Sequence, residues 1–261
     1  MSRLPVKFLI ACSGKATRWG NYLDTPKQLI PIDGERLVDR TVRLLKERMN
    51  LVTDYIHIVA FTPQFASEGA TLLVPSCVNE KELEDHYESH FLYVSKKWWS
   101  TSGLTTILYG DVYYTEEAMD TIVQKEVTGK KYMFFGRENG SSFTLCKYGE
   151  LFAISFIPSF HTNLWKVLLQ LKRLRVNGKI PRFTAWEIYR TLQDLPINLH
   201  KIKDNFVEID DFTDDFDYPH DYDRWMLQRA IVRHRIAVEA CYKNNSSGNT
   251  VSSSTEKEEG E

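Results

Sequence analysis

The chain has 261 residues, a formal charge of −2, 43% apolar residues and 26% charged residues. That is ample for one large α/β domain or two small ones with a substantial core, and the near-neutral charge argues against a general binder of nucleic acid or anionic membranes. No apolar run approaches the roughly 20 residues that span a bilayer, and the widely spaced Cys12, Cys77, Cys146 and Cys241 build neither a zinc ribbon nor a disulfide framework.

The first strand is predicted from Val6 to Cys12, followed by a polar loop. Leu37, Val38, Thr41, Val42, Leu44, Leu45 and Met49 then recur with helical spacing. "DYIHIVAF", from Asp54, reads as a second strand, Ala70 to Pro75 as a third, and Ile107 to Tyr109 as the end of another that stops at Gly110-Asp111. A helix is expected from Glu116 to Val127, a strand from Lys131 and another from Glu150 to Phe156. Helices follow over Asn163 to Val176 and Thr184 to Leu192, then a last strand within Ile197 to Ile209 and a last helix from Tyr222 to Tyr242. Strands alternating with helices imply an α/β fold with a mainly parallel sheet. From Lys243 the sequence is almost free of apolar residues, so residues 1–242 are read as the folded unit and 243–261 as a disordered polar tail.

In open α/β sheets, ligands sit beyond the carboxyl ends of the strands, which makes the loop after the first strand a candidate site. It matches neither G-x-x-x-x-G-K-[ST] nor G-x-G-x-x-G. Its small residues nevertheless suit close approach of backbone N–H groups to phosphate. Arg18 offers a planar fork for phosphate oxygens, and Lys27 a compact point charge. The block Cys12-Ser13-Gly14-Lys15-Ala16-Thr17-Arg18, then Pro26-Lys27, then Asp33-Gly34-Glu35-Arg36-Leu37, resembles the signature of nucleotidyltransferases with a GT-A-like fold, the sugar-phosphate and choline-phosphate type. The resemblance implies a single GT-A/Rossmann-like three-layer α/β/α domain with a mainly parallel mixed sheet. It also implies that Ala11 to Arg18 and Lys27 bind the nucleotide, with Arg18 on the β and γ phosphates and Lys27 at the α-phosphate. Ala16 stands where the family usually has a second glycine. If its φ is positive, the alanine costs about 1–2 kcal/mol.

Gly110-Asp111 resembles the family's G-D, whose aspartate binds Mg²⁺. A hard divalent ion that keeps several waters needs only one or two protein carboxylates. The competing reading of Asp111 is a turn residue capping the helix that begins near Thr115. For the second metal aspartate, Asp215-Phe216-Asp217-Tyr218-Pro219-His220-Asp221-Tyr222 resembles the family outline D-x-D-T-P-x-D. Glu208-Ile209-Asp210-Asp211 resembles another, seen in choline-phosphate members. Asp217 is favoured over Asp210 because a rigid loop before Pro219 holds a carboxylate better. Arg137 and Glu150, near later strand ends, are candidates to meet the acceptor. His86 and His90 lack a third metal ligand, and Trp98-Trp99 is read as packing.

The expected reaction moves a nucleoside monophosphate from an NTP to a small phosphorylated acceptor with release of pyrophosphate, Mg²⁺-dependent, in the cytoplasm, without nucleic-acid or membrane partners. Two alternatives are a GT-A glycosyltransferase using a nucleotide-sugar and a nucleotide-binding regulator that has lost catalysis, the latter suggested by Ala16.

Overall fold

The structure is a computed structural model describing residues 5–14, 16–49, 55–75, 90–125, 129–181 and 184–247. Lys15, Cys77 and His86 lie outside the described residues. In chain order the elements are β1 (Val6–Ala11), β2 (Pro31–Ile32), β3 (Glu35–Arg36), α1 (Leu37–Met49), β4 (Ile56–Val59), β5 (Thr71–Leu73), α2 (His90–Ser95), β6 (Leu104–Tyr109), β7 (Val112–Tyr113), α3 (Glu116–Gln124), β8 (Tyr132–Asn139), β9 (Tyr148–Phe156), α4 (His161–Val176), α5 (Ala185–Leu192), β10 (Phe206–Glu208), β11 (Asp214–Asp215) and α6 (Pro219–Ser247).

Seven strands form one sheet in the order β10-β8-β9-β6-β1-β4-β5. Only β9 runs antiparallel to its neighbours, so the sheet is mixed but mainly parallel. The period-2 alternation of strand side chains divides the core. Phe8 and Ile10 of β1 pack with Val38, Val42 and Leu45 of α1 and with Met119 and Ile122 of α3. Leu9 points the other way, into a second core with Leu164, Leu168 and Leu171 of α4 and Ile188 and Tyr189 of α5. The result is the expected three-layer α/β/α arrangement. Asp33-Gly34 turns β2 into β3 with positive φ at both residues (55° and 83°), as a type I′ hairpin turn requires.

α6 begins at Pro219, the favoured first helical position. Its described residues run to Ser247, beyond the expected end at Tyr242, with no glycine or proline to interrupt the helix over that stretch, and the rest of the expected tail, 248–261, lies outside the described residues. Among the described residues no helix is long and apolar enough to cross a membrane.

Candidate active site

The loop after β1 starts buried and turns outward: Cys12 and Ser13 are buried, Gly14 is exposed. The Cys12 N–H donates to the Val59 carbonyl at 2.9 Å, tying the loop root to β4. Ala16 has φ 47°, so its methyl sits in left-handed backbone that glycine tolerates and alanine resists. The rest of the loop is pinned by Trp19, which is 1% exposed. Its indole N–H donates to the Tyr22 and Thr25 carbonyls at 3.1 and 2.8 Å. Trp19 packs with Ile30, Leu37, Tyr113, Phe216 and Trp225 in a third apolar cluster. That cluster joins the basic loop to the acidic segments, so the opposing charges are held by a common core.

Lys27 opens a single 3-10 turn behind Pro26 and is buried. Its Nζ lies 2.5 Å from Asp111 Oδ2 and 3.0 Å from Asp217 Oδ1. Arg18 Nη2 reaches the other oxygen of Asp217 at 2.8 Å. Burial alone would lower the Lys27 pKa. The Asp111, Asp217 and Asp215 carboxylates outweigh burial, and the ammonium is held charged, above its ordinary range.

Asp111 leaves β6 behind Gly110, and this glycine is required by packing. A Cβ there would meet Cys12 Sγ at 2.5 Å and the Ala11 carbonyl oxygen at 2.7 Å. Asp111 does not cap α3. Thr115 does, its hydroxyl accepting from the Ala118 N–H at 3.0 Å, which leaves the Asp111 carboxylate to face Lys27. β7 pairs with β11, setting Val112 opposite Asp215 and Tyr113 opposite Asp214, and the Phe216 N–H donates to the Asp111 carbonyl at 3.1 Å. Alternation then sorts the acidic run. Asp214 and Phe216 point inward, both buried, with Asp214 bound to Arg137 at 2.9 Å. Asp215 and Asp217 line the cavity.

That cavity, about 720 Å³, opens beyond the carboxyl ends of β1 and β6. Ala11, Gly14, Ala16, Thr17, Arg18 and Lys27 line one side with Asp111, Asp215 and Asp217. Glu138, Tyr148, Glu150, Trp186 and His200 line the rest. Burial, then the Asp217 and Asp214 carboxylates, push Glu150 up to about 8, and burial together with Glu150 raises Asp215 well above the carboxylate range. Four carboxyl groups gathered around one lysine and one arginine repel one another, and Glu150 and Asp215 relieve that repulsion by holding their protons, so a further cation would compete with protons here.

Most residues picked from sequence therefore meet in one place. Cys12 and Ser13 instead line a smaller pocket of about 290 Å³ on which Gly14, Ala16 and Gln28 also border. Asp210 accepts the Ser141 hydroxyl at 3.1 Å and does not line the large cavity. Arg137, an acceptor candidate, is 1% exposed and spent on the Thr213 carbonyl and Asp214, so it supports the ribbon from behind. Glu150, its fellow candidate, does face the cavity. Trp99 packs in the core, as expected. Sequence reading gave no role to Asp215, Tyr148 or Trp186. The alternation in Asp214-Asp215-Phe216-Asp217 carries the signal for the first. Nothing local marks the other two, since they arrive from β9 and α5.

No protein-family model and no curated protein sequence matches the chain. Solved structures do. The chain is similar to the CTP:phosphocholine cytidylyltransferase LicC of Streptococcus pneumoniae, at 16% identity and a TM-score of 0.51, covering 87% of this chain and 100% of that one. A putative glucose-1-phosphate thymidylyltransferase from Bacillus anthracis gives 12% identity and a TM-score of 0.56, with 86% and 95% covered. A 4-diphosphocytidyl-2C-methyl-D-erythritol synthase from Anaerococcus prevotii gives 9%, 0.51, 87% and 98%. The chain has the α/β fold that these nucleotidyltransferases share.

Proposed function

We propose that the chain is a nucleotidyltransferase that moves a nucleoside monophosphate from an NTP to a small phosphorylated acceptor, with pyrophosphate leaving. The observation that carries this reading is Lys27, buried between Asp111 and Asp217 at 2.5 and 3.0 Å at the carboxyl ends of the strands, beside a small-residue loop ending in Arg18. Such a lysine faces the reacting phosphorus of a triphosphate seated on the loop, and there it stabilises the charge that grows as the acceptor phosphate attacks in line. Arg18, 39% exposed at the cavity edge, serves the outer phosphates. Neither role requires a covalent intermediate on the protein.

Mg²⁺ fits the same residues. Two carboxylates already aim their oxygens at one cation, the Lys27 ammonium, and beside them stand Asp215 and Glu150, pushed toward the protonated form by burial and neighbouring carboxylates, which a divalent cation would help to ionise. Among the described residues no three His, Cys, Asp or Glu side chains form a ready metal cage. A hard ion that takes phosphate oxygens and water for its other ligands needs none. Asp111 and Asp217 would hold it, and it would screen the phosphates and polarise the α-phosphoryl group.

The acceptor side is lined by Tyr148, Trp186, Glu138 and Glu150. Phosphocholine and glucose-1-phosphate, the acceptors named for two of the similar structures, head the panel to be tried. The free thiols Cys12, Cys146 and Cys241 support a reducing, cytoplasmic setting. The test is pyrophosphate release with each of the four NTPs across sugar-, alditol- and choline-phosphates. Release that needs both substrates supports the reading. Transfer from a nucleotide-sugar without pyrophosphate would move the chain to the glycosyltransferases.

A further inference from the structure

A third pocket, about 300 Å³, shares no lining residue with the large cavity. Three arginines border it: Arg40 from α1, and Arg229 and Arg233 one turn apart on α6. Tyr113 supplies the surface between them, with the Arg40 guanidinium 4.5 Å and the Arg229 guanidinium 5.3 Å from its ring centre. Cation–π contact accounts for the stacking but leaves the N–H groups at the fork ends to be satisfied.

The hydrogen bonds are incompletely met. Arg40 spends Nε on the Tyr114 carbonyl at 3.3 Å, and its two terminal nitrogens have no acceptor among the described residues. Arg229 gives Nη2 to Asp33 and to the Tyr113 hydroxyl, while its buried Nη1 has no partner among the described residues. Arg233 holds Asp33 with both terminal nitrogens, at 3.2 and 2.9 Å, and stays 59% exposed. Asp33 shows what the cluster favours, since its bonds to Arg229 and then Arg233 hold its carboxyl down at about 2. Two glutamates also border the pocket: Glu116 is drawn to Arg48 at 3.4 Å, and Glu117 is exposed. One carboxylate, Asp33, is shared by two arginines, and among the described residues Arg40 has no ion pair. Two guanidiniums stacked on Tyr113 with a third, Arg233, beside them favour another anion.

We propose that this pocket is a second anion site, one that takes the phosphoryl group of a small phosphorylated molecule. A phosphoryl group brings close to two negative charges at neutral pH and three acceptor oxygens, enough to meet the open fork of Arg40 and the free edge of Arg229 together. A carboxylate offers only two oxygens in one plane. The site shares no residue with the cavity proposed for transfer, so its ligand is neither the NTP nor the acceptor bound there.

Calorimetric titration of the full chain with inorganic phosphate, at ionic strength fixed with sodium chloride, tests the assignment. Wild-type protein should show two classes of site. Arg40→Gln should weaken one class at least tenfold and leave turnover within twofold, and Arg18→Gln should weaken the other. Arg40→Lys, which keeps the charge and loses the fork, should fall between wild type and Arg40→Gln, and it guards against a folding defect in the glutamine variant. A single class of site in the wild type, unaltered phosphate binding in Arg40→Gln, or loss of all binding in Arg18→Gln would each overturn it.

Discussion

Replacing Lys27 with methionine removes the ammonium while keeping most of the side-chain volume, and it separates two consequences of the geometry. Breaking a buried ion pair by deleting one partner costs about 3–5 kcal/mol. Here the partners are not fully buried, Asp111 and Asp217 being 23% and 28% exposed, and Arg18 still holds Asp217. Solvent and Arg18 together reduce the expected loss to roughly 2–3 kcal/mol. For a chain of this size that is a fall in Tm of about 4–12 °C. The variant leaves Asp111, Asp215, Asp217 and Glu150 with Arg18 as their cation, so added Mg²⁺ should raise its Tm more than it raises the wild type's. Turnover should fall about 10²–10³-fold with little change in the KM for NTP, because the charge that Lys27 meets grows only in the transition state. Thermal melts with and without Mg²⁺, beside pyrophosphate-release kinetics, read all three quantities. A variant as stable as the wild type, or one whose KM rises while kcat holds, would refute the placement of Lys27 at the reacting phosphorus.

Arg18→Ala should chiefly raise the KM for NTP, since an outer-phosphate contact exists before chemistry, and an unchanged KM would remove that role. Ala16→Gly should stabilise the protein by about 1 kcal/mol, seen as a Tm rise of about 2–4 °C, by relieving the methyl at φ 47°. A loss of stability on melting would mean that the alanine packs better than it strains. Asp217→Asn should raise the Mg²⁺ requirement and cut turnover as Asp111→Asn does, whereas Asp210→Asn, bound to Ser141 away from the cavity, should be milder. The opposite order would move the metal to Asp210. Glu150, held at about 8 against roughly 4 in an unfolded chain, binds its proton more tightly when folded. Metal-free protein should therefore lose stability as pH rises from about 4 through 8, and Glu150→Gln should flatten that slope in pH-dependent melts.

The fold was legible where local and tertiary requirements agree. The 3.6-residue spacing from Leu37 to Met49, the apolar run from Val6 and the Asp33-Gly34 turn each have one sensible local solution, and each formed. Half of the candidate site was legible for the same reason, because Arg18 and Lys27 sit in a loop whose root is fixed by the first strand. What stayed hidden arrives from far along the chain. Trp19 gave no sequence signal, yet it anchors the basic loop to Phe216 and Trp225, some 200 residues later, and that contact brings Lys27 to Asp217. Which of Asp210 and Asp217 faces the cavity depended on a two-residue ribbon, β7 with β11, too short for any periodicity to announce. Once that ribbon is in place, alternation determines the rest: Asp214 turns to Arg137 inside while Asp215 and Asp217 turn to the cavity. The buried Arg137–Asp214 pair is thus the support on which the cavity carboxylates rest, and an arginine that looked like a substrate contact in the sequence helps the site by holding its scaffold.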